Sequence, residues 1–571
     1  MPISCRQPDR QPIQILPTPT AAIVPASQRA TGQSTAAWLR TGTKLYLWLL
    51  GFVWLSPTVV AQSKGSQAKK PGLPNILIVL ADDLGFGDVA CNNPNSRIAT
   101  PAIDRLARNG LRFSDAHTPS AVCTPTRYAL LTGQYCWRTR LKNGVLDGFS
   151  PPLIAPEQQT IPKLLQQAGY ATRCLGKWHL GMQWRRLDGT PETADRGASG
   201  FRDGSDIDFT KRLTGGPLAV GFEHFFGISA SLDMPPYCWI EDDRCNPPPD
   251  SQTTDHRGEM FLSQTAGRAH SAFQLDQVLP TLRRRTIETI EQHFQTRANQ
   301  PLFLYLPLTS PHLPVAPSPP FLGKSQAGTY GDFVMETDDF VQGIIEALQR
   351  SGQLSNSLLI VTSDNGGLWH TWDAREPDDL RAYRPTDRGR YTAGFGHHSN
   401  AWLRGTKADI YEGGHRVPFI LHWPDQIDRP RVEETPVELT DLMATLAEVV
   451  GLELPASTPH DSYSFAPLLG ISSGSGRRRS LLVHHSISGV FSLRRGAWKY
   501  IESRGSGGFS SPKVVRPEVG TPPGQLYHLL DDPGEARNVF NDYPAEVRDF
   551  EKRLEAVRNS ISLHHLPNET P

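Results

Sequence analysis

The sequence predicts an α/β protein: a large mixed, mostly parallel sheet flanked by helices, followed by a smaller C-terminal α+β domain of antiparallel sheet plus helix. Three observations carry this expectation. Residues 75–81 are a continuous apolar run, the pattern of a strand buried on both faces of a sheet, and 301–307 and 357–363 read as further strands. Amphipathic stretches at 161–168, 286–294 and 337–348 fall among them, as helices covering such a sheet would. Beyond a Pro- and Ser-rich boundary at 454–467, strand-like runs at 480–484, 490–494, 498–501 and 525–529 alternate with Gly turns, and a last helix spans 545–558.

The chain of 571 residues is long enough for one large core and a smaller domain. Its 58 Lys and Arg balance 58 Asp and Glu, so no global field argues for nucleic acid or a membrane surface. An anionic substrate must therefore be held by local basic residues. The 49 Gly and 49 Pro point to long surface loops. Residues 1–42 are rich in Pro, Gln, Thr and Ala without periodicity. Residues 45–55 are apolar, with Arg40 and Lys44 upstream and Val59-Val60-Ala61 downstream. This reads as a signal peptide ending near Ala61, too short for the roughly 20 residues of a spanning helix, with an uncleaved anchor as the alternative. The expected organisation is a leader at 1–61, a linker at 62–74, a large domain at 75–455 and a small one at 456–571. Export implies an oxidising compartment, yet seven cysteines make no framework. Cys238 and Cys245, close together in a loop, are the pair expected to bond, two unpaired thiols being the other reading.

Chemistry gathers at strand ends. The run at 75–81 ends in Asp82-Asp83, adjacent carboxylates that are costly to bury unless paired, capping or bound to a cation. A helix at 101–110 and a strand at 111–117 lead to Ser120–Gly133. There Pro125 suits a first helical position, Arg127 falls in the first turn beside Cys123, and Gly133 ends the helix. The open N–H groups of such a turn favour an anion. Lys177 and His179 close another strand and supply a cation for an oxyanion and a proton relay. Residues 185–270, with Gly, Asp and Pro clusters, form an elaborated loop region. The strand at 301–307 opens into Ser310-Pro311-His312, and the strand at 357–363 ends in Asp364-Asn365. Three carboxylates and an amide at the carboxyl ends of strands make a hard-oxygen site suited to Ca²⁺ or Mg²⁺ and poorly suited to Zn²⁺. His397 and His398, Lys407 and Glu412-Gly413-Gly414 follow before a strand at 419–423 and a helix at 440–450.

The Cys123-x-Pro125-x-Arg127 stretch with Leu130-Leu131-Thr132-Gly133 resembles the signature of the type I sulfatases, members of the alkaline-phosphatase superfamily. Residues 169–181 resemble the second signature of that family, with Leu175 off its usual pattern. Residues 225–233 resemble the segment supplying a substrate-side serine, here Ser231, and Arg404-Gly405-x-Lys407 the segment whose lysine contacts sulfate. The resemblance spans residues 75–558. It implies that Cys123 is oxidised by a modifying enzyme to Cα-formylglycine, whose hydrate attacks sulfur and forms a covalent sulfo-enzyme. Asp82, Asp83, Asp364, Asn365 and position 123 would hold the cation, Ca²⁺ or else Mg²⁺. His312, with Lys407, would serve the leaving alcohol, and His179 would take a proton so that sulfate is expelled. The implied substrate is an aryl sulfate or a sulfated sugar, with His397, His398, Trp239, Trp369, Trp372 and Trp402 as candidate pocket residues. A phosphate mono- or diester or phosphonate hydrolase on the same platform, and a sulfated-glycan binding protein, are the other readings. No nucleic-acid partner is expected, nor a stable membrane span once the signal is removed.

Overall fold

The computed structural model describes residues 72–194, 202–255, 264–368, 395–455, 458–471, 479–516 and 518–566. The leader with its signal peptide, most of the linker, Trp369 and Trp372 lie outside the described residues. In chain order, β1 (Asn75–Asp82) is buried at every position, which is why its run is apolar without alternation. Helix α1 (Pro101–Asn109) starts on a proline whose missing N–H has no helical partner to lose. The strand expected at 111–117 is two short ones, β2 (Leu111–Phe113) and β3 (Ala116–His117). The break falls at Asp115, whose carboxylate turns to Arg494 and His117.

Next come α2 (Cys123–Thr132), α3 (Ile161–Gln167), β4 (Ala171–Lys177) and β5 (His224–Ile228). The elaborated region adds β6 (Ile240–Glu241), β7 (Arg244–Cys245), β8 (Ser251–Thr253) and β9 (Gly267–Ala269). Then α4 (Val278–Thr296), β10 (Leu302–Pro311), α5 (Gly328–Arg350) and β11 (Ser357–Ser363) follow. Both long helices start well before the expected 286 and 337: Pro280, Gly328 and Gly331 interrupt the sequence pattern but sit in first turns, where the cost is small. The four-residue α6 (Glu412–His415), β12 (Phe419–His422), β13 (Arg431–Glu433), β14 (Val437–Glu438) and α7 (Leu442–Val449) complete the large part. The C-terminal part holds β15 (Leu482–His485), β16 (Phe491–Arg495), β17 (Trp498–Ile501), β18 (Gln525–His528) and α8 (Pro544–Asn559).

Among the described residues, the main sheet has ten strands in the order β13-β2-β12-β11-β1-β10-β4-β5-β6-β7. Its centre, β11-β1-β10-β4-β5, is parallel, and antiparallel pairs lie on either side. Alternate residues of β1 bury into opposite layers: Ile76, Ile78 and Leu80 meet α2, α3 and α7, whereas Leu77, Val79 and Ala81 meet α1, α4 and α5. Strands β15-β16-β17-β18 form the expected antiparallel sheet, and α8 packs on it through Phe550 and Leu554 in a core shared with Tyr135 and Trp137. Among the described residues, no helix is long and apolar enough to cross a membrane.

Candidate active site

Four neighbouring parallel strands deliver the polar residues. β11 ends at Asp364-Asn365, β1 at Asp82-Asp83, β10 at His312 and β4 at Lys177, with His179 just beyond. Their carboxyl ends face one way, so segments hundreds of residues apart meet at one edge. Helix α2 brings Cys123 to this edge as its first residue, two positions before the expected start; Pro125 is the third helical residue. Gly133 closes the helix in the left-handed region (φ 67°), its N–H donating to Ala129 O.

The Cys123 thiol donates to Asp82 Oδ1 at 3.6 Å. Lys177 Nζ donates to Asp82 Oδ2 at 2.5 Å and to Ser231 Oγ at 3.2 Å. Lys407 Nζ donates to Asp83 Oδ2 at 2.9 Å, and Asn365 Nδ2 donates to Asp83 Oδ1 at 2.7 Å. Arg127 turns to the acidic side: Nε and Nη2 donate to Asp364 Oδ2 at 2.9 and 2.6 Å, and Nη1 to Lys177 O at 2.9 Å. The His312 Nδ1–H donates to Leu313 O, which leaves Nε2 on the site side, 3.7 Å from Asp83 Oδ2. His179 Nε2–H donates to Leu146 O at 2.8 Å, and its buried Nδ1 has no partner. Asp83 (φ 66°) and His179 (φ 57°) both hold the left-handed backbone that side chains other than glycine rarely adopt.

Burial shapes the charges. It pushes the Cys123 thiol up, out of the range in which a free thiolate forms near neutrality. Burial also acts against Asp82, but Lys177, His312, Arg127 and Lys407 together hold it well below the usual carboxylate range. Asp364 is pushed up to about 6 by burial and then by the charge of Asp82, against the pull of Arg127. Burial lowers Lys407, yet Asp83 and its neighbours more than offset this and keep the ammonium charged. His179 is held well below its ordinary value by burial, then by Lys177 and Arg127, so the ring is neutral with an open lone pair. Asp82, Asp83 and Asp364 are thus matched by Arg127, Lys177 and Lys407.

Asp82, Asp83, Cys123 and His312 each offer a ligand atom within 4.8 Å of the others. The buried Asn365 Oδ1 has no partner, and Asp364 stays pushed up by burial and by Asp82 in spite of Arg127. Leaving aside the Cys123 sulfur and the His312 nitrogen, the carboxylates of Asp82, Asp83 and Asp364 with the orphaned Asn365 amide oxygen are oxygen donors, which fit a hard divalent cation.

The structure brings together Cys123, Arg127, Lys177, His179, Ser231, His312, Lys407 and the four oxygen donors. It does not bring the His397 ring with them. That ring donates from Nε2 to Asp88 Oδ1 at 2.8 Å and accepts the Arg97 N–H at Nδ1, 3.2 Å. With Tyr330, which also donates to Asp88, it braces the turn after Asp83. His398 is exposed. Trp239 stacks on Phe226, which accounts for it as packing, while Trp402 is 49% exposed against the edge of Phe86. Cys238 and Cys245 face each other unbonded, their sulfurs 3.6 Å apart.

Sequence reasoning passed over Thr124, whose hydroxyl donates to His179 O and accepts Leu146 N–H. It also missed a buried cluster of His117, His415, His484 and Lys499 behind α6. A threonine inside a helix start and a lysine inside a short strand carry no signal of their own; His415, directly after Glu412-Gly413-Gly414, was the one available pointer.

Against known proteins, the Sulfatase family model matches residues 74–452. The chain is 31% identical over 522 residues to human arylsulfatase A, covering 88% of this chain and 90% of the relative. It is 29% identical over 540 residues to an N-acetylgalactosamine-6-O-sulfatase of Bacteroides thetaiotaomicron, covering 87% and 95%. A solved structure described under the metabolism of multiple glycosaminoglycans by Bacteroides thetaiotaomicron superposes with a TM-score of 0.69 at 28% identity, covering 85% of this chain and 99% of that one.

Proposed function

This chain belongs to the sulfatase family and is a sulfuric ester hydrolase, and on that premise we propose that its nucleophile derives from Cys123, oxidised to Cα-formylglycine by a formylglycine-generating enzyme. One observation carries the reading. The thiol at the mouth of α2 lies 3.6 Å from Asp82, beside the oxygen donors of Asp83, Asp364 and Asn365 and the ammoniums of Lys177 and Lys407. Hydrated formylglycine supplies two hydroxyls on one carbon, one to attack sulfur and one through which sulfate is expelled. Asp82, Asp83, Asp364 and Asn365, with position 123, would hold Ca²⁺, Mg²⁺ being the alternative. That cation supplies positive charge beside the nucleophile and the sulfuryl oxygens.

The chain's own residues do the rest. Lys177 and Lys407, held by Asp82 and Asp83, face the space that sulfuryl oxygens enter and offset charge there. Arg127 acts from the far side, fixing Asp364 in orientation. The open Nδ1 of His179 accepts the proton of the second hydroxyl. His312 and Lys407 are 6% and 7% exposed while Asp82, Lys177 and Asp364 are fully buried, so the departing alcohol leaves on the side of His312, whose Nε2 serves it. Ser231 Oγ spans Lys177 Nζ and His312 Nδ1 at 3.2 Å each and orients both. The substrate is a sulfated carbohydrate or an aryl sulfate, a reading supported by the relatives named as N-acetylgalactosamine-6-sulfatases and arylsulfatases. The apolar run at 45–55 supports export to a periplasmic, extracellular or secretory-pathway space.

The test is mass spectrometry of the tryptic peptide spanning Cys123, from protein made together with a formylglycine-generating enzyme. An aldehyde at position 123, and loss of turnover in folded Cys123→Ala, are expected. Full sulfatase activity with an unmodified thiol would overturn the assignment.

A further inference from the structure

Behind the site, where β17 meets α6, four buried side chains form a hydrogen-bonded chain whose direction is fixed by its ends. Lys499 Nζ lies 3.0 Å from His415 Nε2; His415 Nδ1 lies 3.0 Å from His117 Nδ1; His117 Nε2 lies 2.7 Å from Asp115 Oδ1. An ammonium only donates and a carboxylate only accepts. His415 therefore accepts at Nε2 and donates from Nδ1–H, and His117 accepts at Nδ1 and donates from Nε2–H. The reverse assignment would set an imidazole N–H against the ammonium and a lone pair against the carboxylate. Its one advantage is at His117 Nε2, where Arg494 Nη1 also lies, 3.1 Å away; Arg494 already donates twice to Asp115. Both rings are neutral, burial being the first cause in each.

Both arms of the catalytic edge rest on α6. The Gly414 carbonyl accepts Gly366 N–H at 2.9 Å, directly after Asp364-Asn365. The approach is so close that a Cβ at Gly366 would lie 1.8 Å from Gly413 O. The His415 carbonyl accepts Thr118 N–H at 2.7 Å, at the start of the loop that enters Cys123. Lys499 fixes α6 from below, donating to Glu412 Oε1 at 3.0 Å and pairing with Glu535 Oε1 at 2.9 Å, while Glu535 Oε2 accepts Glu412 N–H.

We propose that Lys499, supplied by the small C-terminal sheet, is a positioning residue for sulfate ester hydrolysis: through the Lys499–His415–His117–Asp115 chain it sets the α6 turn on which the Asp364-Asn365 tip and the Cys123 loop both rest. The inference depends on the family's reaction alone and not on the nucleophile assigned above. A metal held by His117, His415 and His484 is the competing use of the cluster. It is disfavoured because the His415 and His484 rings are stacked 3.9 Å apart at 11°, so their in-plane lone pairs run side by side instead of converging.

The experiment uses the full chain labelled with ¹⁵N-histidine, with signals assigned through His117→Gln and His415→Gln. His415 is expected as the Nδ1–H tautomer and His117 as the Nε2–H tautomer, and Lys499→Met shifts the His415 signals while Lys499→Arg restores them. With an aryl sulfate as substrate, folded His415→Gln loses about 10- to 100-fold in kcat with KM within about threefold, because the groups it displaces act on the reacting atoms. His415→Gln strips no charge, so it carries the kinetic test if Lys499→Met does not fold. An Nε2–H tautomer at His415, wild-type kcat in folded His415→Gln, or one zinc per chain that is lost in His484→Gln would each overturn the proposal.

Discussion

Removing the Arg127 guanidinium tests the charge balance at the catalytic edge. Arg127→Met keeps length and burial but deletes the two bonds to Asp364 Oδ2 and the bond to Lys177 O, and withdraws a cation 3.5 Å from Asp82 Oδ2. Every partner is fully buried, so a carboxylate is left stranded, which costs about 3–5 kcal/mol. A unit of roughly 500 residues unfolds with about 1 kcal/mol of entropy per kelvin, which makes the loss about 3–5 °C in apparent Tm. Arg127→Lys, which keeps the charge but not the fork that reaches both Asp364 and Lys177 O, falls between. Saturating Ca²⁺ at about 100 times its Kd adds about 2.7 kcal/mol to the wild type. In the variant it also satisfies the stranded carboxylate, so the gap between the two proteins narrows. Scanning fluorimetry in EDTA and in Ca²⁺ reads all of this. An unchanged Tm for Arg127→Met in EDTA, or a gap of equal size with and without Ca²⁺, would refute the reasoning.

The remaining expectations are narrower. His312→Gln should slow an alkyl sulfate by about 10²- to 10⁴-fold but a nitrophenyl sulfate far less, since a stable phenolate leaves without a proton; equal losses would remove the assigned role. Chelation should abolish turnover, with Ca²⁺ or Mg²⁺ restoring it and Zn²⁺ failing to, and full recovery with Zn²⁺ would contradict the oxygen-donor reading. Glu438 is pushed up to about 7 by burial, ahead of the opposing pull of Arg479. The folded chain then holds a proton that the unfolded chain releases above its ordinary value of 4.5, so this group's contribution to stability is lost as pH rises from 4.5 towards 7. Tm measured across that window should fall less steeply in Glu438→Gln than in the wild type, and parallel slopes would count against it.

The central strands were legible because burial on both faces favours apolar residues, so β1 carries the run Ile76–Ala81 and β11 the run Leu358–Val361, each leading to an acidic tip. The short strands β6, β7 and β13, at or next to the sheet's edges, carry no such run, and their pairing is set by neighbours and not by their own residues. At the candidate site, residue types at strand ends anticipated the placement of Asp82, Asp83, Asp364, Asn365, Lys177 and His312 at one edge of the sheet. Direction did not follow from type. Arg127 lies in the Cys123 helix as expected, but its guanidinium engages Asp364, and His397 was expected on a pocket wall and is engaged by Asp88. Lys499 was invisible because a lysine in a short strand normally reaches solvent; only the packing of β17 against α6 makes it a buried partner.

Asp83 and His179 sit in a backbone conformation that glycine would hold without strain. Selection for heat resistance alone should therefore drift His179 towards Gly or Asn, whereas Asp83 is retained by Lys407 and Asn365, which its loss would leave unpaired. On the proposed mechanism, the strain falls where reactivity is kept at the expense of durability.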